Sequence, residues 1–327
     1  MPTVSEISKK LPPVLTRNKE TLLAAGGAFF LCAASLGGAH PFGLALLCSC
    51  RKRRLPVFVG NLLGAVFCGR WFPMQILCAL GCFLLLTIRE ARGAFTLPEM
   101  ESLPLLRALL TGKLQKKEAS DLFRASAASA AGAVLALAYL AREGIPGGLL
   151  PAACLTAVPV FTLLYGRLFT GGKLYELALL GLAFSVSQIF RPIVLFGAPL
   201  SLAVGTVFTL LLSRSRGFAF GCAAGVLCGL TAGSGAVGAL GVTGITYGLL
   251  AANSEYLALA LAYLIAAAGL WYLSPSEVLL SGAAMLLAGI LLFLPLRHRV
   301  PLKLPARPIP THRNDSGLAT LAAAFSS

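Results

Sequence analysis

Glycine recurs at every fourth position of an apolar stretch, GFAFGCAAGVLCGLTAG, which spans residues 217–233. Residues four apart share one face of an α-helix, so this spacing predicts a helix with a bare strip along one side. In water each glycine would weaken such a helix by up to about 1 kcal/mol. In a bilayer the backbone must satisfy its own hydrogen bonds, so the helix persists and the strip becomes a packing surface. The predicted helix-packing residues are Gly217, Gly221, Gly225, Gly229 and Gly233, with a glycine-lined permeation path as the alternative.

The composition of the whole chain also indicates a membrane protein. Hydrophobic residues make up 57% of the 327 residues and charged residues 12%, which is not the composition of an ordinary soluble domain. Apolar runs near the length needed to cross a bilayer recur, and short basic clusters separate them. The formal charge of +15 is therefore typical of positive-inside loops rather than of nucleic-acid binding. Together these features predict an all-α polytopic transmembrane helical bundle of about ten spans.

The predicted membrane domain covers residues 22–296, after a basic cytoplasmic N-terminus at 1–21. Its first apolar run, 22–50, is interrupted at His40-Pro41, so it is either one long kinked span or a span followed by a short returning segment. The ten predicted spans after it are 55–69, 72–88, 124–142, 147–166, 174–189, 193–212, 217–232, 236–252, 255–273 and 276–296.

Two basic regions are predicted to lie at the membrane surface. The densest cluster is Arg51, Lys52, Arg53 and Arg54. The second is the cytoplasmic loop 89–123, in which leucines at helical spacing alternate with basic residues. That pattern suits an interfacial helix on an anionic leaflet, with a solvated loop as the alternative. The loop's candidate interfacial residues are Lys113, Lys116 and Lys117.

The distribution of basic residues predicts the orientation of the chain. We assume a cytoplasmic N-terminus and let 22–50 return to its starting side. Of the 27 lysines and arginines, only Arg70, Arg142 and Arg191 then face the opposite side. If 22–50 crossed once instead, the N-terminal basic residues would move outside and the asymmetry would fall. The positive-inside rule favours the first arrangement, with both termini cytoplasmic.

Groups for catalysis or metal binding are scarce in this sequence. Aspartate occurs only at Asp121 and Asp315, and no nucleophile, phosphate-binding or zinc motif is present. We therefore predict no catalytic, cofactor-binding or metal-binding residue, and an intramembrane enzyme fits poorly. Gln188 and Arg191, before Pro192, form the best intramembrane polar cluster. With nearby glycines they suggest the alternative function, a small-molecule transporter or flippase.

The last segment, 297–327, is a basic, proline-rich tail. Its composition is typical of a linker that leaves the membrane. The tail ends in GLATLAAAFSS, where apolar residues begin to recur at helical spacing. We interpret it as the start of a longer cytoplasmic region.

Several stretches resemble a known family, the N-terminal membrane region of stage II sporulation protein E from endospore-forming bacteria. They are PFGLALL at 41–47, the glycine stretch at 217–233, GITYGLLAA at 244–252, SEVLLSGAAMLLAGILLFLPL at 276–296 and GLATLAAAF at 317–325. The resemblance implies about ten spans, a central regulatory segment and a C-terminal serine phosphatase of the PP2C type that uses Mn or Mg.

The resemblance also implies a function for the longer protein. Such a phosphatase activates a sporulation sigma factor by dephosphorylating an anti-sigma-factor antagonist at the asymmetric division septum. None of its metal-binding aspartate motifs can be placed in this chain, so no catalytic residue and no cofactor is carried over. We therefore expect a non-enzymatic membrane anchor and localisation or oligomerisation module. Its expected partners are the lipid bilayer, further copies of itself and cell-division proteins at the septum, with no nucleic acid.

Overall fold

Helices form most of the structure, a computed structural model that describes residues 13–50, 53–92, 116–170, 174–273 and 276–299. The helices of the first half are α1 (Pro13–Ala33), α2 (Pro41–Ser49), α3 (Arg54–Ala65), α4 (Phe72–Arg92), α5 (Lys116–Leu155) and α6 (Ala157–Thr170). Those of the second half are α7 (Tyr175–Ile189), α8 (Leu200–Arg216), α9 (Phe218–Ala232), α10 (Ser234–Leu250), α11 (Glu255–Leu273) and α12 (Ser276–Arg299). A 3-10 helix (Val66–Trp71) joins α3 to α4, and a two-stranded hairpin, β1 (Val194–Leu195) and β2 (Ala198–Pro199), joins α7 to α8. The all-α prediction is confirmed.

By length and composition, four helical stretches in the described residues could cross a membrane. They are Arg54–Glu90, Ser120–Leu168, Glu255–Tyr272 and Leu280–Arg297. The prediction of about ten spans is therefore not borne out, since four candidate spans are found among the described residues. Shorter apolar helices of 10–17 residues supply much of the rest of the bundle, at Glu20–Ala33, Tyr175–Ile189, Phe218–Ala232 and Ser234–Leu250.

Two of the long stretches fold back on themselves at a glycine. Gly69 has φ 55° and ψ −126°, and Gly144 has φ 69° and ψ 177°, conformations that residues with a side chain rarely adopt. On either side of Gly69, the rings of Phe58 and Phe83 stack with their centroids 4.5 Å apart. Arg54–Glu90 and Ser120–Leu168 are therefore helical hairpins. The turn at Gly69 lies at the end of the predicted span 55–69, before the span 72–88. The turn at Gly144 lies between the predicted spans 124–142 and 147–166.

The run 22–50 is also a helical hairpin. The chain reverses between α1 and α2 at Gly37 and Gly38, which both have positive φ and lie inside a short bridge between Leu36 and Ala39. Eight of the nine residues of α2 are buried. Of the two alternatives for 22–50, the structure contains the helix with a short returning segment.

The helices enclose two main apolar cores. The first is formed by the helices from α1 to α6 and includes Phe42 and Tyr165, both fully buried. The second lies among α7 to α12 and includes Leu240 and Leu286. Residues of α7 contribute to both cores, so this helix joins the two halves of the bundle.

Candidate functional site: glycine packing and charged helix ends

The central glycines of the 217–233 stretch lie against the backbone of α10. A Cβ atom added to Gly229 would lie 2.5 Å from the Cα of Val237, closer than real Cβ atoms approach a backbone. An added Cβ on Gly225 would collide with the carbonyl of Leu240, and one on Gly221 would lie 2.9 Å from the carbonyl oxygen of Gly244. Antiparallel α9 and α10 therefore touch backbone to backbone, and a side chain at any of these three positions would separate them.

The two outer glycines of the stretch have a different position from the one predicted. Gly217 and Gly233 flank α9 instead of belonging to it, with φ of 88° and 129°. No atom lies within 4 Å of a Cβ added to either residue. The prediction that they pack against a neighbouring helix is thus wrong. Their physical role is to reverse the chain, because left-handed backbone conformations favour glycine.

A second glycine contact escaped the sequence analysis. Gly60 and Gly64 on α3 face α1. A Cβ added to Gly60 would collide with the carbonyl oxygen of Ala25. One added to Gly64 would collide with the backbone of Phe29 and the side chain of Cys32. The signal was present in the sequence as a glycine pair four residues apart within the predicted span 55–69. Two glycines at this spacing are a weaker signal than the five at 217–233.

A charged cluster closes the carboxyl end of the buried helix α2. The guanidinium of Arg54 donates to both carboxylate oxygens of Glu90, at 3.2 and 2.7 Å, and to the carbonyl oxygen of Cys50 at 3.2 Å. Arg124 donates to the carbonyl of Ser49 at 3.4 Å and to Glu90 at 3.5 Å. Both arginines are buried. Two cations thus satisfy the last carbonyl groups of α2, where the helix dipole favours positive charge.

Further ion pairs occupy the same end of the bundle, which we call the basic end. They are Arg53 with Glu20, Arg167 with Asp121, Arg216 with Glu176, and Glu255 with both Arg214 and Arg297. Tyr247 also donates to Glu255, at 2.9 Å, so this one carboxylate ties four helices together. Most of these residues lie where helices begin or end, so the charge is concentrated at one end of an apolar bundle.

The other end of the bundle, which we call the opposite end, carries one ion pair among the described residues. Arg70, in the turn after α3, pairs with Glu143, beside the turn at Gly144. The rings of Trp71 and Tyr139 stack beneath this pair with centroids 3.7 Å apart, and the Tyr139 hydroxyl donates to the carbonyl of Gly38 at 3.0 Å. Three chain reversals therefore meet at this end.

The predicted interfacial basic residues divide into three groups. Arg51, Lys52 and Lys113 lie outside the described residues, as do the side chains of Lys116 and Lys117 at the start of α5. Arg53 is exposed and pairs with Glu20 at the surface of the bundle. Arg54 is only 6% exposed, because its guanidinium turns inward to pair with Glu90 on α4. Its position at a membrane interface stays a prediction.

The two residues of the candidate transport cluster differ in their exposure. Gln188 is buried and its Oε1 has no hydrogen-bond partner among the described residues, whereas Arg191 is exposed in the turn after α7. The larger grooves that can be described are apolar, one between α4 and α5 beside Gly81, the other between α11 and α12 beside Trp271. Within the described ranges, no three histidine, cysteine or acidic side chains are placed to hold a metal ion.

These observations define a class of protein, an all-α bundle with four candidate membrane spans, and thus a candidate multi-pass membrane protein in contact with lipid. In comparisons with protein-family models, with curated proteins and with solved structures, nothing matches this chain.

Proposed function

We propose that this chain is a membrane anchor and localisation module for a cytoplasmic effector. The observation that carries the proposal is the one-sided charge of the bundle. Ion-paired and basic residues gather at the basic end, from which α12 leads into the basic tail at 297–327. A bundle with an apolar middle and one strongly basic end suits a membrane whose cytoplasmic leaflet is anionic.

We further propose that ten helical segments cross the bilayer after the α1–α2 hairpin, which enters and leaves on the cytoplasmic side. The two glycine hairpins supply four of these crossings, and α7 to α12 supply the other six. Several of the helices are shorter than the roughly 20 residues that a full crossing uses, which the bilayer accommodates by thinning at modest cost. This arrangement places both termini in the cytoplasm.

The effector that we propose follows from the resemblance to stage II sporulation protein E. It is a PP2C-type serine phosphatase on a longer chain, with Mn or Mg in the phosphatase and no cofactor in the membrane part. The anchor would hold that phosphatase at the asymmetric division septum, in contact with cell-division proteins. There it would dephosphorylate an anti-sigma-factor antagonist and so activate a sporulation sigma factor.

Localisation in a sporulating endospore-forming bacterium tests this proposal directly. Residues 1–327 fused to a fluorescent protein, without any phosphatase, should concentrate at the asymmetric septum. The control is a Gly225→Leu fusion expressed at the same level. This substitution separates α9 from α10, so the control shows the fluorescence pattern of a misfolded membrane domain. Uniform fluorescence over the whole membrane from a folded wild-type fusion would contradict the localisation role and leave only an anchor.

A transporter or flippase is the second candidate. Two of the buried oxygen atoms without a hydrogen-bond partner among the described residues favour it, Gln188 Oε1 at the end of α7 and Ser201 Oγ at the start of α8. Such atoms in an apolar surrounding favour a bound water or polar solute. Substrate-dependent uptake into vesicles that is lost in both Gln188→Leu and Arg191→Ala would establish transport in place of anchoring.

A further inference from the structure

The hairpin between α7 and α8 has an unusual residue at its tip. Phe196 and Gly197 form the two-residue turn between β1 and β2, with φ of 52° and 86°. Two positive φ values define the turn that normally takes Asn-Gly or Gly-Gly, because a bulky side chain is strained there. Among the described residues, Phe196 alone combines a side chain with positive φ.

The hairpin also exposes its apolar side chains. Phe196 is 88% exposed and Val194 is 59% exposed, so the Phe196 ring has little contact within the protein. A hairpin in water would place polar residues at such positions. Backbone strain that is retained at an exposed site points to an interaction outside the chain.

The hairpin lies beside an exposed apolar part of α12. A Cβ added to Gly197 would lie 3.7 Å from the Ser281 hydroxyl oxygen, at the start of the candidate span Leu280–Arg297. Leu280 beside it is 85% exposed. The helix that leads to the hairpin, α7, has 15 residues and a length of about 22 Å, less than the roughly 30 Å hydrocarbon core of a bilayer. The hairpin therefore lies within reach of the leaflet at the opposite end.

We propose that the tip of this hairpin dips into the lipid leaflet at the opposite end of the bundle, with the Phe196 ring as the deepest group and the open strand edges at the hydrated headgroups. The inference rests on the proposed placement of the bundle in a membrane. Trp271 and Tyr272, which end the candidate span Glu255–Tyr272 and are 72% and 88% exposed, mark the same interface. Aromatic residues gather at such interfaces, with the ring in lipid and the polar atom in water.

Depth-dependent quenching of tryptophan fluorescence tests the proposal in the full chain reconstituted into phosphatidylcholine vesicles. The protein has two tryptophans, so Trp71→Phe leaves Trp271 as the single reporter of the bundle. Trp71→Phe with Trp271→Phe and Phe196→Trp leaves a reporter at the tip. We expect the tip reporter to be quenched at least threefold more by lipids brominated on the acyl chain than by aqueous iodide.

The pair of reporters separates the possible failures. Quenching of the tip by iodide alone, or by neither quencher, while Trp271 responds to brominated lipid, would overturn the inference and leave the membrane placement standing. If neither reporter responds to brominated lipid, the membrane placement and the inference both fail. Should the Phe196→Trp protein not fold, Val194→Trp in the same background reports from the adjacent strand, and the same quenching is expected.

Discussion

Glycine has two distinct physical roles around α9. At Gly221, Gly225 and Gly229 the absence of a side chain lets the backbone of α10 approach. At Gly217 and Gly233 the same residue permits a backbone conformation that reverses the chain, with open space around it. A substitution at the first kind of position is opposed by collision, and one at the second kind by backbone strain.

The packing role predicts a large effect of Gly225→Leu. The leucine side chain would collide with the carbonyl of Leu240 and force α9 from α10, which we expect to cost about 3 kcal/mol or more. Thermal unfolding in detergent, followed by circular dichroism, measures the loss. Gly81→Leu is the matched control, because Gly81 is also helical and has no atom within 4 Å of an added Cβ. Equal unfolding temperatures for the two variants would contradict close packing of α9 and α10.

Backbone strain predicts a smaller effect of Gly233→Ala. The added methyl group meets no neighbour, but φ 129° with ψ 166° is a conformation almost confined to glycine. We expect a loss of about 1–3 kcal/mol in the same unfolding experiment. An unchanged unfolding temperature would show that the turn relaxes without cost, and the assigned role would be wrong.

Among the helices, α2 depends most on groups outside itself. It has nine residues, too few to be stable alone, and its carboxyl end is buried among the side chains of Arg54 and Arg124. The carboxylate of Glu90 offsets the charge of these two guanidinium groups. The position of α2 therefore depends on α3, α4 and α5 together.

The Glu90→Gln variant tests this dependence. It leaves two buried cations without a counter-charge, so we expect a loss of about 2 kcal/mol, reduced from the value for fully buried pairs because Glu90 is half-exposed. Glu20→Gln breaks the exposed pair with Arg53 and should cost less than about 1 kcal/mol. Chemical unfolding in mixed micelles compares the two. A larger loss from Glu20→Gln would contradict the role of the buried cluster.

The sequence predicted the helices better than their contacts. Hydrophobic runs locate most of the helices. Gly144 lies between two predicted spans and Gly69 ends one, where polar residues interrupt the apolar pattern. Helical spacing could not separate Gly217 and Gly233 from the packing glycines, since all five continue one fourfold repeat. The burial of Arg54 depends on Glu90, 36 residues later, and no local pattern reports such a pairing.

In the molecule as a whole, most ion pairs lie at the basic end, in two separate clusters. The Glu90 cluster lies in the first half of the basic end and the Glu255 cluster in the second, with no residue in common. We therefore expect the stability losses from Glu90→Gln and Glu255→Gln to add within about 0.5 kcal/mol in the double variant. A strongly non-additive result would show that the two halves are coupled through more than the packing of α7.

The central claim is that the basic end faces the cytoplasm and the opposite end faces outward. Labelling of intact cells with a membrane-impermeant maleimide tests it, with Arg70→Cys at the opposite end and Arg53→Cys at the basic end. Both positions are exposed, and most native cysteines are buried, so the unsubstituted protein sets the background. We predict labelling of Arg70→Cys in intact cells and of Arg53→Cys only after the membrane is opened. Labelling of Arg53→Cys alone in intact cells, or of both, would contradict the account.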